Sequence, residues 1–141
     1  MIPTRQLQKA IVDLLIYFNG YKVYFSDVKE VNTPSFYVDT TEVTQTVDST
    51  YIDRAIQIDI AYIPIRNSKG EINKADLYIT LDALDERIRP IFYVNDRAIT
   101  VLSAEKTIVD EVAHYIFTLN FTDNFTQGTQ LPYMNTLKME V

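Results

Sequence analysis

Hydrophobic and polar positions along the chain follow two periods, and the switches between them mark out the elements. Leu7, Ile11, Leu14, Leu15 and Phe18 recur at the spacing of one helical face, which predicts an amphipathic helix. Arg5, Lys9 and Asp13 take the opposite face, Thr4 suits the N-cap, and Gly20 stands where a helix-ending glycine belongs. Residues 22–25 form a short β-rich run. Over residues 35–47 the period becomes two, with Tyr37, Asp39, Thr41 and Val43 alternating against Phe36, Val38 and Thr40. Residues 51–64 alternate more cleanly. Ile56, Ile58, Ile60 and Tyr62 share one face and Gln57, Asp59 and Ala61 the other, as in a half-buried antiparallel strand.

A polar turn over residues 66–70 leads to a second helix. Asn73 caps it, Asp76 sits in its first turn, Leu77, Leu81, Leu84 and Ile88 form its apolar stripe, and Pro90 stops it. Residues 91–94 and 97–104 read as strands around Asn95-Asp96, a two-residue hairpin turn. Residues 112–121 alternate again, with Ala113, Tyr115, Phe117, Leu119 and Phe121 opposing His114, Thr118 and Asn120. Residues 122–141 are polar and then weakly apolar, suiting an extra strand or an arm. The predicted order is helix, three strands, helix, three strands, tail. This implies an α+β fold: a mostly antiparallel sheet, sequence neighbours paired antiparallel, and two helices packed on one face. With no repeat or linker, residues 1–141 read as one domain. It has a core over about 4–122, a possible arm at 39–50 and a C-terminal tail at 123–141.

Composition narrows the functions open to such a chain. The 141 residues are 47% hydrophobic and 23% charged, enough to bury a core without a metal or disulfide staple. No apolar run is long enough to span a membrane, and the first residues lack the apolar stretch of a signal peptide. Thirteen basic against nineteen acidic residues give a net charge of −6, opposite in sign to a generic nucleic-acid binder. Zero cysteines remove disulfides, thiol nucleophiles and thiolate metal sites. Three glycines cannot build a glycine-rich phosphate cradle, whereas ten tyrosines favour strands.

The remaining chemistry is sparse. His114 has only Asp110 and Glu111 nearby in sequence, and a metal needs about three or four ligands. A strand histidine bonded to a neighbour or facing solvent is the simpler reading. Asp82 and Glu86 share a helical face, and Arg89 follows Asp85 at i+4, which suits a salt-bridged surface rather than acid–base catalysis. Neither a G-x-S-x-G elbow nor an H-E-x-x-H pair is present. These features predict a protein that is not an enzyme and carries no cofactor. Arg54, beside Asp53 and five residues before Asp59, reads either as a surface ion pair or as a charged contact with another subunit. Residues 39–50 combine high β-propensity with few charges and no glycine. Left exposed, such an edge invites pairing, so it favours assembly.

Several motifs occur together in order. Pro34-Ser35-Phe36-Tyr37-Val38, Tyr51-x-x-Arg54 and Ile58-Asp59-Ile60-x-Tyr62-x-Pro64 are followed by Asp110-Glu111-Val112-Ala113-His114-Tyr115 and Asn120-Phe121. The set resembles a bacteriophage tail-terminator family of phages and prophages of Gram-positive bacteria, from about Leu7 to Phe121. The chain departs from that pattern at Glu30, Thr50, Ile58 and Ala113. The resemblance implies a small α/β virion protein without catalysis that assembles as a homo-oligomer, a hexameric ring at the tail–neck junction, built in the host cytoplasm. Such a ring caps the tail tube protein, stops its polymerisation and presents the head-joining surface. It meets the sheath protein in contractile tails and a head-completion protein above. DNA passes through the lumen without specific binding, which suits an acidic chain. Interface contacts are then expected at Tyr37, Asp39, Thr41, Val43, Tyr51 and Arg54. The alternative is another neck connector, a head-completion protein.

Overall fold

The computed structural model describes residues 1–16, 18, 21–25, 34–64 and 66–125. Two helices and seven strands follow in the order α1 (Thr4–Leu15), β1 (Lys22–Tyr24), β2 (Ser35–Thr46), β3 (Tyr51–Ile63), α2 (Lys74–Ile88), β4 (Ile91–Val94), β5 (Arg97–Thr100), β6 (Ala104–Val109) and β7 (Val112–Asn124). Five strands form one sheet in the order β1-β2-β3-β7-β6, and β4 and β5 form a separate hairpin. The fold is α+β with a mostly antiparallel sheet.

Three local expectations need correction. First, β1 runs parallel to β2, pairing Lys22–Tyr24 with Ser35–Tyr37, so sequence neighbours do not all pair antiparallel. Second, residues 97–104 are not one strand. β5 ends at Thr100 and pairs with β4, whereas β6 opens at Ala104 and pairs with β7 in the large sheet. Four strands therefore follow α2, not three. Third, Thr4 does not cap α1. Pro3 is the N-cap, and its carbonyl accepts the amides of Gln6 and Leu7. Gly20 and the tail from residue 126 lie outside the described residues.

The other element signals translate directly into structure. The side chain of Asn73 accepts the amide of Ala75 and so caps α2, satisfying one of the donors that a helix start leaves open. Asn95 adopts φ 55 in the β4–β5 turn. Asp110 and Glu111 adopt φ 51 and 65 between β6 and β7, the two left-handed residues of a tight primed hairpin turn.

Both helices cover one face of the sheet. Leu7, Ile11 and Leu15 of α1 and Leu77, Leu81, Leu84 and Ile88 of α2 are buried. They pack in one cluster with Phe36 and Val38 of β2, Ile56, Ile58, Ile60 and Tyr62 of β3, and Tyr115, Phe117 and Leu119 of β7. Phe92, Val94 and Ile99 of the β4–β5 hairpin complete that layer. The opposite face, which carries the intervening strand residues, has no covering element among the described residues.

The central strands also outrun their neighbours. β1 reaches only Tyr37, and β6 pairs with β7 only as far as Phe117. From there β2, β3 and β7 continue as a three-stranded outer end. It reaches Thr46 paired with Ile52 and Tyr51 paired with Asn124.

Candidate assembly surface

The period of two in β2 places Tyr37, Asp39, Thr41 and Val43 on the uncovered face, and Tyr51 of β3 shares it. Across the β2–β3 ladder, Thr41 faces Gln57 and Val43 faces Ala55. Val43, Val47 and Tyr51 are 67%, 54% and 48% exposed, so apolar side chains stand out near the outer tip of this polar sheet. Asp48 closes the tip by accepting the amides of Thr50 and Tyr51, at 2.7 and 2.8 Å.

Asp39 stands directly opposite Asp59, an arrangement that disfavours pairing when both are charged. His114 reaches Asp59 from β7, the third strand, its Nδ1 lying 3.0 Å from Asp59 Oδ1. The histidine therefore has the simpler role, a hydrogen bond to a strand neighbour. Among the described residues, no group of three His, Asp or Glu side chains is arranged to hold a metal.

Arg54 is placed differently. It lies on the helix-side face of β3 and is only 5% exposed, so it is neither a surface ion pair nor part of the open face. Its Nε and NH2 donate to both oxygens of Glu42, at 2.8 and 3.0 Å. Its NH1 donates to Asp123 Oδ2 at 3.0 Å and to the carbonyl of Ile2 at 2.7 Å. The guanidinium also lies 5.3 Å from the centre of the Phe121 ring, with Arg97 at 5.1 Å from the same ring. The bond to Glu42, outweighing burial, raises the Arg54 pKa above its ordinary value. Burial pushes the Asp123 carboxyl up, but the amides of Ile2 and Asn124 and the Arg54 donor together hold it below its ordinary value. The sequence reading missed Glu42, Asp123 and Phe121 here. Their spacing from Arg54 along the chain carries no local signal.

A second polar node ties α2 to the sheet. Asp85 accepts two bonds from Arg89, at 2.6 and 2.9 Å, and one from the Tyr115 hydroxyl at 2.6 Å. The Arg89 bonds come first among the causes that hold its carboxyl well below the usual range. Lys106 of β6 bridges Asp82 and Asp85, at 3.1 and 3.5 Å. The helix acids are thus joined to basic partners as expected, while Glu86 faces solvent. Tyr62 donates to Asp76 at 2.6 Å.

The structure therefore brings five of the six expected contact residues onto one surface and turns the sixth inward. These features define a class: a small α+β protein whose accessible chemistry is a polar sheet face. A sequence profile described as phage tail terminator protein matches residues 6–130, and the chain belongs to that family. It is a structural protein of the phage tail and works in contact with other tail and virion components. A comparison with curated proteins found no match. Among the described residues, no helix is long and apolar enough to cross a membrane.

Proposed function

We propose that copies of this chain close into a ring, with the hexamer as the expected form, that seats on the last ring of tail tube protein and ends tube growth. One ring surface mates with the tube. The other carries no tube-like surface for addition and serves head joining through a head-completion protein, with sheath contact in a contractile tail. This places the protein at the tail–neck junction of the virion. DNA crosses the lumen without specific contacts, in keeping with the net charge of −6.

The observation that carries the reading is the outer end of the sheet. Its polar, uncovered face bears Asp39, Thr41, Val43 and Tyr51, and it is built into a family of tail terminators. The outer stretch of β2 acts as the arm that meets a neighbouring copy, and repeated heterologous contacts close a ring. Arg54 contributes by stiffening that arm from behind.

The test is to add purified chain to polymerising tail tube protein and to image tube ends by negative stain, with particle mass measured in parallel. Capped tubes of arrested length and a multimeric mass are expected. Binding to portal-containing heads with no effect on tubes would instead assign the chain as a head-completion protein.

A further inference from the structure

The large sheet has two bare edges besides its uncovered face. β2 carries no outer neighbour from Val38 to Thr46, and β6 carries none along Ala104–Val109, among the described residues. β2 is antiparallel to β3, β3 to β7, and β7 to β6, so β2 and β6 run in opposite directions. A second copy placed beside the first by rotation about a common axis therefore offers its β2 edge antiparallel to the β6 edge. We infer that this chain assembles by such pairing, β2 of one copy against β6 of the next. This rests on the ring reading above and names the strands that make its contact.

The faces fix the register. In both strands the even-numbered residues point to the helix side and the odd-numbered ones to the open side. A one-residue slip would set helix-side groups against open-side groups, so only even shifts survive. One of these sets Thr41 opposite Thr107, Glu42 opposite Lys106 and Thr40 opposite Ile108. It matches hydroxyl with hydroxyl and sets the Lys106 ammonium, which also serves Asp82 and Asp85, beside the Glu42 carboxylate that Arg54 holds, so that charges of opposite sign adjoin across the strands. Moving two residues one way sets Glu42 against Ile108, and moving two the other way sets it against Ala104, and each loses the charge pair.

The register also meets a condition that closed sheets impose. Glu42 is level with Ile56 of β3, and Lys106, through Tyr115, is level with Ile60. Each copy is thus displaced by four residues along the strands for every four strands crossed. With about 3.3 Å per residue and about 4.8 Å per strand, the strands lean by roughly 35°, at the low end of the tilt of closed barrels. The sense follows from backbone bonds at the tip. The amide of Val47 donates to Tyr51 O, and that of Phe125 donates to Thr50 O. Odd residues of β3 therefore turn their peptide groups toward β2 and even ones toward β7. Seen from the helix side with β3 pointing up, β7 and β6 lie to its right, and the displacement coils the strands right-handed when the helices are outside. Strand twist favours that hand. The uncovered face with Asp39, Asp53 and Asp59 then lines the inside.

The chain has no cysteine, so a disulfide scan reports the contact directly. Tail particles would be isolated from cells expressing Thr41→Cys with Thr107→Cys, oxidised, and run on a denaturing non-reducing gel. A ladder of covalent multimers is expected, absent with either single variant. The out-of-register pair Thr41→Cys with Glu105→Cys should give at least tenfold less. Monomer bands alone from particles that contain the double variant would overturn the inference and leave the ring reading standing. A dimer from Thr41→Cys alone would also overturn it, by showing a two-fold β2–β2 contact. A higher yield from the out-of-register pair would overturn the register. Absence of the unmodified chain from tail particles would overturn the ring reading itself.

Discussion

The inner and outer ends of the same three strands are held by different forces. At the inner end, Ile58, Ile60, Tyr62, Tyr115 and Phe117 bury their side chains beneath two helices and a hairpin. At the outer end, β2 is polar on both faces from Asp39 to Thr46, with Val43 as its one apolar side chain. Arg54 there gathers Glu42, Asp123 and the Ile2 carbonyl around one buried cation. Apolar burial is non-directional and scales with area. A charge network is directional, and each partner depends on the others being present. The inner end therefore stabilises the fold, and the outer end holds one shape in a strand too polar to be held by burial.

The largest expected effect comes from the inner end. Phe117→Ala removes a ring that is 2% exposed and packs on Phe92 and Tyr115, and should cost about 3–5 kcal/mol. Urea unfolding should show a lower midpoint for the whole chain. A loss below about 1 kcal/mol would mean that the inner end is not the main source of stability.

Next is Arg54→Met, which keeps the length and leaves two carboxylates without their cation. A cost of about 3 kcal/mol is expected, confined to the outer end by local opening. Hydrogen exchange should accelerate at the amides of Thr41 and Val43, which bond to β3, and leave Ile58 to Ile60 unchanged. Unchanged protection at the outer positions would dismiss the clasp.

The smallest effect separates the two ends by pH. Burial, then the bond to Asp85, raises the Tyr115 hydroxyl above its ordinary value of 10.0. The folded phenol keeps its proton while the unfolded one ionises, so its contribution is complete below pH 10 and lost as pH rises further. Asp123 has the opposite sign. Its folded pKa lies below 3.8, so its contribution is complete above that ordinary value and is lost as pH falls from there through the lower folded one. Alkali should thus attack the inner end, whereas acid should loosen both, since the Asp85 carboxylate of the α2 node is likewise held low by Arg89. Tyr115→Phe should cost about 1 kcal/mol at neutral pH and flatten the fall in Tm between about pH 9 and about pH 11. An identical alkaline fall in the variant would sink the assignment.

Much of the inner end was legible because period and burial coincide there. The stripe Leu77, Leu81, Leu84 and Ile88 and the alternation Ile56, Ile58, Ile60 and Tyr62 each repeat at the period of their element, and all eight are buried. β6 was missed because an edge strand buries little. Glu105 and Lys106 are both exposed and break the alternation that marks a strand. Parallel β1 is three residues long, too short to carry a direction. The open surface was half legible, since alternation alone put Tyr37, Asp39, Thr41 and Val43 together. Arg54 was misplaced for a physical reason. The acidic residue beside it in sequence is Asp53, but its partners are Glu42, twelve residues before it, and Asp123, sixty-nine after. Even-numbered, it belongs to the face of Ile56, and a cation there is buried only because that network exists.

Ile2 presents both of its peptide groups to the outer end, its amide to Asp123 at 2.7 Å and its carbonyl to Arg54 at 2.7 Å. Two residues later α1 begins. The outer strands are consequently braced by a short strut that runs straight into a helix anchored in the core. A lateral load on the tip is carried into α1 as tension or compression instead of bending the three strands where their neighbours stop. The molecule behaves mechanically as a bracketed cantilever, with the backbone of Ile2 as its bracket.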